Sequence, residues 1–273
     1  MNHFENKVSE TLLIPLICKA EESLQPNAII VDNVACDIVN KLSIDLKKYT
    51  NKKISRTGTA LRARYFDLKT EEFITKNPSP IVITLGCGLD ARYHRLDNEI
   101  RNKAFFYYLD FTDVISVRKR FIPEQHNEKY ISGSMLSHQW IAVVKEKAEE
   151  SCQLLFLIEG VLMYIPEHEV RNLFNTLCLN FKTGLMICDV LSRWLSSKSD
   201  AHDTVRYTAA EFSFGFDDDS LPTTWNSKLI HRETRLFTDF KEYTRMGFPL
   251  NILMTYFEKY KKSARILTYE IME

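Results

Sequence analysis

Ile81-Val82-Ile83-Thr84-Leu85-Gly86-Cys87-Gly88-Leu89-Asp90 is the stretch on which the reading of this chain turns. Pro78-Ser79-Pro80 breaks whatever precedes it. Five apolar or β-branched residues then run without a charge, as in a strand buried on both faces. The strand closes on Gly86-Cys87-Gly88, where two glycines allow a sharp turn and expose amides to a ligand. Leu89 to Leu96 is expected to open a helix whose N-terminal end points at that turn. Strand, glycine turn and helix form a unit that binds nucleotide-like cofactors beyond its strand ends.

Downstream, strand and helix alternate. Phe105 to Leu109 reads as a second buried strand ending in Asp110, and Tyr130-Ile131 as a short third ending near Gly133-Ser134-Met135. Leu154 to Ile158 is a fourth, ending in Glu159, and Pro166-Glu167 starts a helix with acids near its positive end. Leu185 to Val190 is a fifth strand ending near Asp189, and His231 to Phe237 a sixth. Leu250 to Tyr260 reads as one helix, and Arg265 to Met272 alternates like an antiparallel edge strand. The fold class is therefore α/β, a mostly parallel seven-stranded sheet with an antiparallel last strand and helices on both faces.

Upstream, Leu12 to Leu24, Val34 to Leu46 and Thr59 to Ile74 carry apolar residues at helical spacing, with a basic, poorly apolar stretch from Lys47 to Arg56 between the last two. These helices are expected to pack on one edge of the sheet, to close over the cofactor as a lid, or both. Leu191 to Asn226 breaks the rhythm with Phe212, Phe214, Phe216, Trp225 and the acidic run Asp217-Asp218-Asp219, as a substrate cap after a strand end would. One domain is expected, divided into a helical extension (1–77), a cofactor-binding core (78–190), a cap insertion (191–230) and the end of the sheet (231–273).

Composition excludes several classes. Lys plus Arg (36) balances Asp plus Glu (36), without the basic surplus of a nucleic-acid binder. The six cysteines are scattered, with no C-x-x-C pair, which argues against structural zinc and a disulfide scaffold. There is no basic segment followed by a long apolar core at the N-terminus, and no uncharged apolar run near the roughly 18 residues of a membrane span. A cytoplasmic, reduced protein without a metal is the expectation.

The turn alone leaves the cofactor open. Gly86-x-Gly88-x-x-Ala91 satisfies the dinucleotide pattern, and Asp110 lies about 20 residues on, so a NAD(P)-dependent oxidoreductase is one reading. Against it stand the helical segment that precedes the strand and Asp90, whose carboxylate would oppose a pyrophosphate. S-adenosylmethionine carries no phosphate. Asp110 suits its ribose diol, Glu159 its ammonium, and an arginine its carboxylate, with Arg56, Arg62 and Arg64 as candidates. Plainer roles compete: an acid closing a strand can simply cap the next helix, and a helical arginine can be solvated. Cys87 reads as a small turn residue and the Asp217 run as a solvated loop.

The chain resembles the leucine carboxyl methyltransferase family in Leu61-Arg62-Ala63-Arg64-Tyr65-Phe66-Asp67, Leu85-Gly86-Cys87-Gly88-Leu89-Asp90-Ala91-Arg92 and Leu109-Asp110-Phe111. Ser134-Met135-Leu136 with Trp140, and Ile158-Glu159-Gly160-Val161-Leu162-Met163-Tyr164-Ile165-Pro166-Glu167, continue it, over about residues 10 to 240. The opening Glu10-Thr11-Leu12-Leu13 and the segment near Trp225 look more like its bacterial branch, which methylates polyketides of the tetracenomycin type. The resemblance implies a Rossmann-like class I methyltransferase that uses S-adenosylmethionine, releases S-adenosylhomocysteine and needs no metal. It implies that Arg62 binds the cofactor's carboxylate and that the Gly86 turn, with Gly88, packs against its tail. Asp110 would hold the ribose, Ser134 and Met135 flank the adenine, and Glu159 contact the amino-acid portion. Ser134 stands where relatives often carry Asp, Lys19 matches a family lysine only loosely, and Thr84 stands where ordinary methyltransferases place an acid.

A small-molecule acceptor, such as a polyketide-like metabolite, is expected to be methylated on a carboxylate or hydroxyl. A carboxylate needs no general base; a hydroxyl does, and His202 and Tyr207 are candidates by location. No evident base favours the carboxylate. Methylation of a protein's C-terminal carboxylate and a non-catalytic binding module are the remaining alternatives.

Overall fold

The computed structural model describes residues 11–42, 49–148 and 152–273; Glu10, Leu46 and Lys47 lie outside them. β1 (Pro80–Leu85) is buried along its whole length. Ahead of it come α1 (Leu13–Ser23), α2 (Asn33–Lys41) and α3 (Lys53–Lys76). After it follow α4 (Arg92–Arg95), α5 (Asn98–Arg101), β2 (Phe105–Asp110), α6 (Thr112–Phe121), β3 (Glu128–Ser132), α7 (Gln139–Lys145), β4 (Gln153–Ile158), α8 (Glu167–Asn180) and β5 (Gly184–Leu191). The chain closes with α9 (Arg193–Ser196), β6 (Leu229–Leu236), α10 (Leu250–Tyr256), α11 (Glu258–Lys261) and β7 (Ala264–Ile271).

The strands form one seven-stranded sheet in the order β3-β2-β1-β4-β5-β7-β6. β1 pairs in parallel with β2 and β4, so the order reverses there and leaves a crevice at the carboxyl ends of both strands. β7 runs antiparallel to β5 and to β6, and in this respect the expected sheet is what forms. Its position corrects the edge assignment: β7 is an interior strand with Arg265 to Tyr269 buried, and β6 is the edge. The reason is visible in β6, where His231-Arg232-Glu233-Thr234-Arg235 gives a half-exposed, charged row suited to an unpaired border.

Three helical expectations also shift. Leu89 to Leu96 forms only the single turn α4, because Leu89 and Ala91 are buried against Leu12, Leu16 and Val114, which keeps the preceding backbone irregular. Leu250 to Tyr260 divides at Phe257, whose extended backbone separates α10 from α11. α3 starts at Lys53, inside the basic stretch, and crosses a face of the sheet rather than an edge. Phe66, Phe73 and Ile74 pack there with Val82, Phe106, Leu155 and Ile187. The other face holds α8 through Val170, Leu173, Phe174 and Leu177 against Ile83, Phe156 and Met186.

Among the described residues, all six cysteines are free, no helix is long and apolar enough to cross a membrane, and no group of three or more His, Cys, Asp or Glu could hold a metal ion.

Candidate functional site

The crevice between β1 and β4 opens into a cavity of about 620 Å³, roofed by α1 and α3 and walled by residues after β5. Arg62, Gly86, Gly88, Asp110, Ser134, Met135 and Glu159, drawn from distant parts of the sequence, all line it.

At the tip of β1 the backbone is pulled into place by its neighbour strand. The amides of Gly86 and Cys87 both donate to the Leu109 carbonyl, at 2.8 and 3.0 Å, and the Gly88 amide donates to Asp110 Oδ2 at 2.7 Å. The expectation of amides exposed to a ligand is thereby corrected, since all three are spent on the end of β2. With α4 reduced to one turn, no extended helix N-terminus is offered to a pyrophosphate. Gly86 is required here: its φ is +74°, and a Cβ would stand 2.6 Å from Val161 Cγ2. Asp110 Oδ1 accepts from the Phe111 amide at 2.8 Å, so each carboxylate oxygen is oriented by one amide and keeps a second lone pair. Burial raises the Asp110 pKa and the two amide bonds oppose that rise.

Arg62 reaches the cavity from α3 and joins two strand ends. Its Nε donates to Glu159 Oε1 at 3.1 Å and its Nη1 to Asp189 Oδ2 at 2.8 Å. Nη2 passes over Gly160, where a Cβ would come within 3.1 Å of it. The solvated role for Arg62 is thus set aside. Arg64 instead pairs with Glu242, and Arg56 with the buried Glu22, neither of them lining the cavity.

Around Arg62 the charges interlock. Glu159 also receives Arg92 Nη2 at 2.6 Å, Arg92 meets Asp67 and Asp90, and Arg95 binds Asp32, Asp67 and Asp90. Lys19, from α1, contacts Asp90 at 3.2 Å and Asp32 at 3.7 Å. Lys19, Arg62, Arg92 and Arg95 face Asp32, Asp67, Asp90, Glu159 and Asp189, which leaves one carboxylate in excess. Burial alone would raise the Glu159 carboxyl, yet Arg92 and Arg62 hold it below the usual range. Burial raises the Asp189 carboxyl, against the opposing pull of Arg62 and the Gly160 amide.

On the β3 side, Ser134 Oγ accepts from the Leu136 amide at 3.2 Å, and the Met135 carbonyl accepts from Trp140 Nε1 at 3.1 Å. These bonds fix the loop against the core and leave both residues on the cavity wall.

The opposite wall is made by the segment after β5. Ser55 Oγ of α3 donates to Asp203 Oδ1 at 2.5 Å and lies 3.1 Å from Thr204 Oγ1. His202 packs edge-on against Phe212 at 5.5 Å, and Tyr164 lies 5.5 Å from the same ring. Beyond them Trp194, Leu195, Met246, Leu250 and Met254 give the cavity an apolar arm. Burial pushes the Tyr164 hydroxyl up to about 12, which removes it as a base near neutrality. Tyr207 lies outside the cavity, its hydroxyl accepting from Arg206 at 2.7 Å. Burial raises the Cys87 thiol, away from the thiolate form that a nucleophile uses. The acidic run pins the segment: Asp219 binds Arg265 and Thr234, Asp217 accepts from the Arg193 amide, and Asp218 from Ser220.

Sequence reasoning left out Lys19 and Asp189. A lysine amid the apolar face of α1, and one acid inside Met186-Ile187-Cys188-Asp189-Val190-Leu191, were the available signals, since an unpaired charge in such a place is costly. The Ser55–Asp203 contact bridges 148 positions and carried no signal.

Comparison with known proteins follows the same lines. A tetracenomycin polyketide synthesis O-methyltransferase of Streptomyces glaucescens is 26% identical over 208 residues, covering 76% of this chain and 75% of that one. An S-adenosyl-L-methionine-dependent methyltransferase of Gibberella zeae is 24% identical over 258 residues, covering 87% and 84%. A crystal structure described as a methyltransferase of Thermobifida fusca YX superposes with a TM-score of 0.59 at 10% identity, over 96% of both chains. A further S-adenosylmethionine-dependent methyltransferase, from Anabaena variabilis, gives 0.51 at 13% identity over 78% and 84%. The fold is the Rossmann-like α/β fold of these methyltransferases. The pattern of the leucine carboxyl methyltransferase family matches residues 13–178, from α1 into the last turns of α8, and the chain belongs to that family.

Proposed function

We propose that this chain transfers the methyl group of S-adenosylmethionine to an oxygen of a small molecule, with a carboxylate as the favoured acceptor. The observation that carries the reading is the convergence of Arg62, Asp110, Glu159 and Asp189, one from a helix and three from strand ends, on a single cavity. The donor set fits the cofactor. Asp110 has open lone pairs for a diol, and the charge cluster carries a carboxylate in excess, which suits a ligand that is cationic overall. Arg62 Nη2, which has no hydrogen-bond partner among the described residues, serves the cofactor's carboxylate, and Glu159 its ammonium. Ser134 and Met135 border the adenine.

The bound sulfonium supplies a methyl group that is already activated for in-line displacement. What remains for the protein is alignment and the exclusion of water. The charge lattice holds the strand tips rigid, and α1 and α3 roof the cavity. Residues 191–230 act as the substrate cap, with Phe212, Trp194 and Leu195 turned to the acceptor. A carboxylate arrives ionised and needs no base, which agrees with the high Tyr164 hydroxyl and the exclusion of Tyr207 from the cavity. The Streptomyces relative, named for tetracenomycin polyketide synthesis, directs the choice to polyketide-like acceptors.

The test is a transfer assay with methyl-labelled S-adenosylmethionine and paired aromatic acids and phenols. Label appearing as methyl ester supports the reading. Label on the phenols alone shifts the acceptor to hydroxyl, and transfer to none of them with no cofactor binding ends it.

A further inference from the structure

His202 is a polar group of the cavity that the cofactor reading leaves unused, and its ring is held in one definite way. Its Nδ1 faces the backbone amides of Thr204 at 3.4 Å and Val205 at 3.3 Å, with Thr204 Oγ1 at 3.2 Å. Asp203 Oδ1 lies farther off, 3.6 Å from the same nitrogen. A hydroxyl can turn to donate or accept, whereas a backbone N–H only donates. Two such donors aimed at Nδ1 therefore require a lone pair there, and the neutral ring carries its proton on Nε2. Nε2 has no partner among the described residues and is not among the buried, unsatisfied atoms, and His202 lines the cavity. The ring itself is clamped by Phe212, and the backbone carrying it by the Ser55 bond to Asp203.

We propose that His202 binds the methyl acceptor, donating its Nε2–H to a carboxylate oxygen of a substrate whose apolar body fills the arm lined by Leu195, Met246, Leu250 and Met254. The inference rests on the methyltransferase reading and goes past it by naming the group that orients the acceptor. It also removes His202 as a general base. A proton taken from a substrate would have to enter at Nε2, which already holds one, while Nδ1 is turned to two amides. Burial and the nearby Arg62 guanidinium both lower the pKa of the ring, the Asp203 carboxylate opposing them, so the neutral donor form is the one present near neutrality. Arg62 and His202 then stand on two sides of the same space, the first facing the cofactor and the second the acceptor.

The test is nitrogen-15 NMR of the full chain labelled in histidine, titrated with naphthalene carboxylate as probe and methylnaphthalene as its uncharged counterpart. The expected result is a neutral His202 protonated on Nε2, whose resonance moves with the carboxylate and not with the hydrocarbon. His202→Ala should weaken naphthalene carboxylate binding roughly tenfold, and His202→Gln, which restores a donor, should recover most of it. A proton on Nδ1, an unmoved Nε2, or equal affinity in His202→Ala overturns the proposal. Calorimetry with S-adenosylhomocysteine runs beside it. Loss of cofactor binding alone defeats the methyltransferase reading, because tautomer and probe contact are also read in cofactor-free protein.

Discussion

At the strand tips, Asp110 is held by two backbone amides, and Glu159 and Asp189 by guanidinium groups and the Gly160 amide, all at 2.6–3.1 Å. Across the same cavity, the wall proposed to face the acceptor includes Phe212, Leu195, Met246 and Met254, with His202 among its polar residues. The first wall is specified by charge and direction, so a small change at any member strands its partners. The second is specified by volume, and volume-conserving changes there are tolerated far better. On this reading the proposed cofactor side tolerates less change than the proposed acceptor side.

The hardest blow to that contrast is Arg62→Ala. It leaves Glu159 and Asp189 without their shared partner, and such removal from a buried pair costs about 3–5 kcal/mol. Denaturant unfolding should show a loss of that order, and an unchanged midpoint would mean that the lattice is only decorative. Next in size is Gly86→Ala, where positive φ and the 2.6 Å approach to Val161 Cγ2 act together; about 1–3 kcal/mol is expected. Val161→Ala in the same chain should recover part of it, which a purely backbone effect would not allow. Asp110→Asn keeps the size of the side chain and removes the charge. Calorimetry should record S-adenosylmethionine binding weaker by about 1–3 kcal/mol with the fold intact.

Smaller effects sharpen the other wall. Gly58 lies within α3, and a Cβ there meets only Met246 Cε at 3.7 Å. Gly58→Ala should raise stability by about 0.5–1 kcal/mol, the opposite sign to the same substitution at Gly86. Any destabilisation would show that the acceptor wall is packed as tightly as the strand tips. The smallest is a pH effect. Burial lowers His202 from its ordinary value of 6.5, so just below that pH the native chain binds fewer protons than the unfolded chain. Stability therefore falls as pH drops through 6.5 towards the depressed value. His94 is lowered as well, so the readout is the difference in slope between wild type and His202→Gln, the variant being flatter.

Legibility followed the same division. The strands with continuous apolar runs were readable because burial on both faces leaves no alternation to misplace, and each ended in the acid or glycine that lines the cavity. The edge assignment of β7 failed because alternation marks a strand with unlike faces, not its place in the sheet; the charged row of β6 was the informative one. The helix expected after Gly88 failed because Leu89 and Ala91 are claimed by α1, a contact between segments far apart in sequence. Arg62 was recognisable only through its motif, since nothing local distinguishes it from Arg64 two positions on. Ser55 and Asp203 meet only through tertiary structure.

The claim on which the rest depends is that one cavity, bounded by Arg62, Asp110 and Glu159, holds S-adenosylmethionine. Calorimetric titration of the cofactor into wild type, Asp110→Asn and Arg62→Lys addresses it directly. One-to-one binding that weakens in both variants is the predicted result; NADH binding in its place, or an affinity indifferent to both substitutions, would contradict it.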